Sequence, residues 1–341
     1  MSPAHTPLRI NDVAQRAGVS PATVSRVLNN NLSVTQAKRE KVRAVIEELG
    51  YRPNRVASNL RRQQAQMIGV VISDIENPHF TAVVRAVEDA AYRQGYRVLL
   101  CNTDEQPEKQ RSYLGVLTAE RVAGAIISPT EARAPEIGEL IDHGTCVVAF
   151  DRDIADRRAD AVVAANAEGA RTGTAHLIAC GHSKVGYISG PLRVETGAER
   201  LRGYEECMKA AKLTPIVAYG DFRYEGGARA TRELLARGAT ALLVGNNLMA
   251  VGALHAIKEA GLRVRRDIAL VAIDDPPWAE LTDPPLTTLA QPVRAMADSA
   301  VEMLLERLVA GRKRRKRLVF DFEWRHRGSC CNEQTLQVAG L

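Results

Sequence analysis

Four absences narrow this 341-residue sequence before any motif is read. No apolar run approaches the roughly 20 residues that span a bilayer. Runs such as Ala161–Ala165 and Ala241–Gly245 stop far short of that. Met1–Ile10 lacks the apolar stretch of a secretory signal, and together these two absences predict a soluble, cytoplasmic protein with no membrane partner. The six cysteines, at 101, 146, 180, 207, 330 and 331, form no Cys-x-x-Cys pair. In a chain this long they read as small buried hydrophobes, not as a disulfide framework or a metal site. The adjacent Cys330–Cys331 pair reads as exposed and incidental. Catalytic signatures are missing too. Ser73–Phe80, after the first strand, has no glycine for a dinucleotide loop, and no phosphate-binding loop, nucleophile elbow or His-Glu-x-x-His helix occurs. The expectation is a binding protein without catalysis, cofactor or metal.

What is present is charge, unevenly spread. Residues 1–62 carry 11 Lys/Arg against 4 Asp/Glu, a net of +7, while residues 63–311 carry 27 against 33, a net of −6. Residues 312–341 return to +5, mostly in the six consecutive cations Arg312–Arg317. A basic head on an acidic body fits a nucleic-acid-binding module joined to a different one. The length likewise suggests more than one core. The run Arg312–Arg317 reads as a solvated surface connection.

The head has helical periodicity. Apolar residues at 10, 13, 14 and 17 predict one helix, ended by Gly18-Val19. Ser20 before Pro21 is an N-cap followed by a residue tolerated at the first helical position, so a second helix runs to about Leu28. A third, roughly 36–49, follows the turn Asn29-Asn30-Asn31. Two short helices joined by a Gly-containing turn and backed by a third read as a helix-turn-helix. Its second helix has a small, polar outer face. There Arg26 can bond guanine O6 and N7 in bidentate fashion, and Ser20, Thr23, Ser25 and Asn29 can bond phosphates. Beyond Pro53, Asn54 caps a short segment whose Ala57 and Leu60 share one apolar edge. Leu60 there suits a wedge inserted from the minor groove. His182, after a helix end, reads as packing locally.

From residue 67 the pattern changes. Short apolar runs at 67–73, 97–101, 124–127, 146–150, 161–164, 185–189, 216–219, 240–244, 269–273, 286–290 and 318–322 alternate with amphipathic stretches. Several of these stretches end at a glycine (95, 181, 238, 261) in the C-cap position. Such alternation predicts buried parallel sheets with helices on both faces, and about eleven strands call for two sheets.

Ile10-Asn11-Asp12-Val13-Ala14, Ala17-Gly18-Val19-Ser20 and Thr23-Val24-Ser25-Arg26-Val27-Leu28-Asn29, followed by Glu48–Ala57, closely resemble the N-terminal signature of the lactose-repressor/galactose-repressor (LacI/GalR) family of bacterial transcription regulators. The resemblance continues through Asp74–Phe80, Phe150-Asp151-Arg152, Leu177–His182, Gly190-Pro191, Gly197–Tyr204, Gly245–Leu254 and Leu286–Leu289. It implies an all-α helix-turn-helix head at 1–52, a hinge at 53–66, and an α/β body at 67–330 similar to periplasmic binding proteins. That body would hold two parallel doubly wound sheets: lobe 1 at about 67–164 and 291–317, lobe 2 at about 165–290 and 318–330. A tail, 331–341, is too short for the heptads some members use to tetramerise. The resemblance further implies a homodimer on near-palindromic double-stranded operator DNA, most often repressing a carbohydrate catabolic operon. Pro21, Ala22 and Arg26 stand where the family reads bases, and Leu60 where it intercalates.

Ligands in such sheets bind beyond the carboxyl ends of the strands. By family position His79, Phe80, Asp151, Arg152, Thr196, Arg200, Phe222, Asn246, Asn247 and Asp274 line a cleft for a carbohydrate or sugar-acid effector. Two departures bear on the ligand. Ala165-Asn166 and Asn246-Asn247 stand where many members carry a carboxylate. With Arg152, Arg200 and Arg193 retained, the expectation is a more positive cleft and an acidic effector, a sugar acid or phosphosugar.

Overall fold

The computed structural model describes residues 10–28, 34–49 and 65–331. They fall into two units, one up to Ala65 and one from Gln66.

The first unit contains α1 (Ile10–Ala17), α2 (Pro21–Leu28) and α3 (Gln36–Leu49). Val13, Ala14 and Ala17 pack with Val24 and Val27 and with Val42 and Val45, so the three apolar stripes close one small core. Gly18 takes φ +62°, which lets the Val19 N–H reach back to Ala14 and stop α1. Ser20 Oγ accepts the Thr23 N–H at 3.2 Å and caps α2.

The second unit runs β1 (Ala65–Ile72), α4 (Pro78–Arg93), β2 (Arg97–Asn102), α5 (Pro107–Ala119), β3 (Val122–Ile127), α6 (Pro135–Asp142), β4 (Cys146–Phe150) and β5 (Asp160–Ala164). It continues with α7 (Asn166–Ala179), β6 (Val185–Ser189), α8 (Glu195–Ala210), β7 (Ile216–Tyr219), α9 (Tyr224–Ala236), β8 (Ala241–Val244), α10 (Asn247–Glu259) and β9 (Ala269–Ile273). The last elements are β10 (Thr287–Ala290), α11 (Val293–Ala310), β11 (Arg317–Phe320) and β12 (Glu323–Arg325). The sheets order as β2-β1-β3-β4-β5-β11 and β7-β6-β8-β9-β10-β12. Strand neighbours are parallel except β12, which is antiparallel to β10. The inner strands of each sheet are buried on both faces, as the continuous apolar runs require, while the edge strands β2, β7, β11 and β12 are partly exposed. In the first lobe Ile68, Val70 and Ile72 face α4 and α11, while Val71 faces α5 and α6. In the second, Leu242 and Val244 face α9 and α10, while Leu243 faces α7 and α8.

The chain crosses between lobes three times: after β5, after β10 and after β11. The third crossing corrects one expectation. The run 318–322 does not belong to the second lobe, because Leu318, Val319 and Phe320 pair with β5 in the first sheet. The chain changes sheets only at Asp321-Phe322, and β12 is a strand the apolar pattern missed.

Two further expectations change. Arg312–Arg317 is an exposed connection at Lys313, Arg314, Lys316 and Arg317, but it is tied down by ion pairs and not merely solvated. Arg312 bonds Asp160 and Glu306, Arg315 bonds Asp153 and the Ala159 carbonyl, Lys316 bonds Glu306, and Arg317 bonds Asp153. These links dock the start of β11 on β5. Nor is Cys330–Cys331 exposed: Cys330 is buried, and Cys331 is half-buried in a disulfide with Cys180. The chain after β12 folds back over α7, which a linear pattern does not reveal. Among the described residues no helix is long and apolar enough to cross a membrane.

Candidate ligand cleft and nucleic-acid interface

In both sheets the order reverses beside the first strand, between β1 and β3 and between β6 and β8. Ligands collect at such switch points, beyond the carboxyl strand ends. There a cleft is lined by nine of the ten residues named above: His79, Phe80, Asp151, Arg152, Thr196, Arg200, Phe222, Asn246 and Asp274. Asn247 lines an adjoining cavity instead. Asp74 and Asn77, within the strand-end stretch Asp74–Phe80 but not singled out, also line the cleft, as do Glu105, Asp221, Arg223 and Gln291, which sequence reasoning missed.

Local backbone sets these side chains. Asn77 caps α4, its Oδ1 accepting the His79 N–H at 2.9 Å, so His79 and Phe80 leave the first turn of the helix towards the cleft. Glu105, Asp151, Phe222 and Asp274 all have φ between +60° and +73°. This left-handed conformation is uncommon for residues other than glycine, and such outliers concentrate at functional sites. Asp tolerates it; Glu105 and Phe222 are the strained ones. The Phe222 ring lies over Gly190, where a Cβ would sit 2.1 Å from the ring carbons, so a glycine is required there.

The charge balance differs from the expected positive cleft. Five lining carboxylates (Asp74, Glu105, Asp151, Asp221, Asp274) face three guanidinium groups (Arg152, Arg200, Arg223). Arg193 is exposed and outside the lining. Arg152 is already neutralised: its Nη1 and Nη2 bond Glu105 at 2.8 and 2.5 Å. Burial opposes its charge, but the Glu105 bonds outweigh burial and raise its pKa. Arg200 donates to Asn166 Oδ1 and to the Gly245 carbonyl, each at 2.7 Å. Asn166, next to the Ala165 that stands in place of a carboxylate, thus positions Arg200. Asn246 is likewise spent on protein: its Oδ1 caps α10 by accepting the Met249 N–H, and its Nδ2 donates to the Phe222 carbonyl.

Polar contacts bridge the lobes. Asn247 Nδ2 donates to Asn77 Oδ1 at 2.9 Å, and Arg223 lies 3.4 Å from Asp74. The Asp153 N–H donates to Glu195 Oε2 at 2.5 Å. His79, buried, has Asp151 on one ring nitrogen and Asp274 on the other, each at 3.8 Å. Gln291, in the second crossing, donates to Asp274 Oδ1 at 2.9 Å. In the cleft and its adjoining cavity four buried polar atoms have no hydrogen-bond partner among the described residues: His79 Nε2, Arg152 Nε, Asn247 Oδ1 and Gln291 Oε1. Buried polar atoms are rarely left so, and water or a bound molecule commonly completes them.

In the head, Pro21, Ala22 and Arg26 are exposed on α2. Arg26 has no ion-pair partner among the described residues. Ser20 and Thr23 hydroxyls lie 2.9 Å apart and bond each other beside the cap. Asn29, Asn54, Ala57 and Leu60 lie outside the described residues, and nothing is described of the Ser25 side chain.

Comparison with known proteins agrees with both modules. Residues 9–54 match the family model for bacterial regulatory proteins of the lacI family, and residues 174–330 match a periplasmic binding protein-like domain. The chain is 36% identical over 304 residues to the HTH-type transcriptional repressor PurR of Haemophilus influenzae, spanning 88% of this chain and 90% of that one. It is 31% identical to a lac repressor dimer bound to operator and the anti-inducer ONPF, with TM-score 0.85 over 96% of this chain and 100% of that one. It is also 31% identical to the transcriptional regulator CelR in complex with cellobiose, with TM-score 0.72 over 94% and 99% of the two chains.

Proposed function

This chain belongs to the lacI family of bacterial regulatory proteins, and from that premise we propose a homodimeric, cytoplasmic repressor of a carbohydrate operon whose operator affinity is set by a neutral, hydroxyl-rich ligand of the sugar class. The observation that carries the ligand class is the set of buried atoms left without a hydrogen bond in the cleft and its adjoining cavity. It mixes a donor (Arg152 Nε), two acceptors (Asn247 Oδ1, Gln291 Oε1) and a ring nitrogen able to be either (His79 Nε2). A hydroxyl both donates and accepts, so a polyol satisfies such a mixture. An anion would instead meet the carboxylate excess, with Arg152 already neutralised. The cellobiose complex of the similar CelR supports the same class.

The ligand regulates only through differential affinity for two arrangements of the lobes. The cross-lobe contacts Asn77–Asn247, Asp74–Arg223 and Asp153–Glu195 are the natural parts to be made or broken. Calorimetric titration with neutral pentoses and hexoses, sugar acids, phosphosugars and nucleobases tests this, with operator binding read in parallel. A neutral sugar is expected to bind and shift operator affinity. Binding of a sugar acid or a nucleobase alone would overturn the ligand class while leaving the repressor reading intact.

On the DNA side, Arg26 carries the direct readout proposed for α2, because Pro21 and Ala22 offer only apolar contact. Arg26→Ala is expected to relax base preference at one position per half-site, by about 1–3 kcal/mol per lost contact. Binding to a panel of single-base operator variants measures it. Uniform weakening across the panel would mark Arg26 as a phosphate contact instead.

A further inference from the structure

A cluster unrelated to the cleft lies at the far end of α7. The helix starts at Asn166, beside Arg200, and its last turn carries His176 before Cys180. At about 1.5 Å per residue the two ends are roughly 20 Å apart. The segment after β12 brings His326, Cys330 and Cys331 against this end. His176 Nε2 lies 3.1 Å from Cys330 Sγ, 3.6 Å from Cys331 Sγ and 3.5 Å from Cys180 Sγ. His326 Nε2 lies 3.8 Å from Cys330 Sγ. The four donor atoms of His176, His326, Cys330 and Cys331 all lie within 4.8 Å of one another.

Zinc bonds of about 2.0–2.1 Å to nitrogen and 2.3 Å to sulfur make a tetrahedron with edges of roughly 3.3–3.8 Å. Three of the six separations, 3.1, 3.6 and 3.8 Å, are close to those edges, and the other three lie within 4.8 Å. Three of the six cysteines and two of the seven histidines converge at this one place. We propose that, with its thiols reduced, this cluster binds one thiophilic divalent cation, zinc being the best fit, through His176 Nε2, His326 Nε2, Cys330 Sγ and Cys331 Sγ. The Cys180–Cys331 disulfide uses only two of the five residues and gives no role to either imidazole or to Cys330. Metal and disulfide exclude each other at Cys331, and a DNA-binding regulator works in a compartment that keeps thiols reduced. Trp324 covers the His176 ring at 4.6 Å. A groove lined by Cys180, His182, Arg265, Arg266, Cys330 and Cys331 gives the ion a way in. The ion would fasten the segment after β12 to α7, so its expected effect is on second-lobe stability.

The test uses the full chain, reduced with a phosphine and stripped by chelation, then titrated with Co²⁺. Uptake of about one Co²⁺ per chain is expected, with thiolate charge-transfer and tetrahedral ligand-field bands that Zn²⁺ bleaches. Zn²⁺ should also raise the melting temperature of the reduced protein. Cys330→Ser and His326→Asn should each lose the bands; His326 is half-buried, so its variant serves if the buried Cys330→Ser fails to fold. Cys180→Ser should keep them. No uptake by the reduced chain, or bands that survive His326→Asn, would overturn the site. So would metal-free protein isolated with Cys180 and Cys331 already bridged.

Discussion

Asp160→Asn is expected to destabilise the second unit by about 3–5 kcal/mol, the cost of removing one partner from a buried charge network. Asp160 is 0% exposed. Its oxygens accept from Arg307 Nε at 2.8 Å, Arg307 Nη2 at 2.7 Å, the Lys316 N–H at 2.7 Å, and Arg312. The asparagine keeps the shape but leaves Arg307 without its counter-charge and Arg312 with Glu306 alone. It also turns an acceptor into a donor facing donors. Urea unfolding should show the loss, with Lys313→Ala, exposed on the same segment, within about 0.5 kcal/mol of the parent. A loss below about 1 kcal/mol for Asp160→Asn would mean that water replaces the network. The pH dependence follows in sign. Burial alone would raise the Asp160 pKa, but the Arg307 and Arg312 bonds outweigh it and hold the carboxyl below its usual range. A depressed folded pKa contributes stability that is present above the unfolded value, near 3.9, and is lost as pH falls through the folded one. Acid unfolding of the parent should therefore be steeper than that of Asp160→Asn.

This network shows where sequence reading stops. Strand–helix alternation made two parallel sheets legible, because buried strands and glycine C-caps are local signals. The partner of Arg312 is not local: Asp160 is 152 positions away. A run of cations shows its charge but not whom it meets. The same holds for Cys180 and Cys331, 151 positions apart. The run 318–322 looked like one strand because apolar length does not show that the chain changes sheets inside it. In the cleft, the residues at strand ends were legible from topology. Glu105 was not, because its role depends on Arg152 from another strand end. The cleft's charge was misread for the same reason: the arginines were visible and their carboxylate partners were not.

Asp274→Asn is expected to weaken effector binding by about 10- to 100-fold while leaving operator affinity without effector near that of the parent. Asp274 is buried at φ +73°, and asparagine adopts that conformation readily, so the backbone should hold. The carboxylate accepts from Gln291 Nε2 through Oδ1 at 2.9 Å and meets Asn247 Nδ2 through Oδ2 at 3.4 Å. Replacing one oxygen by an NH₂ sets a donor against one of these donors. If the new oxygen stays with Gln291, the NH₂ confronts Asn247, which bridges to Asn77 in the other lobe. Losing a hydrogen bond to a charged group costs about 1.5–3 kcal/mol, and tenfold in affinity is about 1.4 kcal/mol. Calorimetry with the effector and anisotropy with labelled operator separate the outcomes. An unchanged effector affinity would remove Asp274 from the site. Loss of operator binding in both states would indicate a broken fold. Retained operator binding with a displaced effector curve is what linkage requires of a residue that touches the ligand and not the DNA.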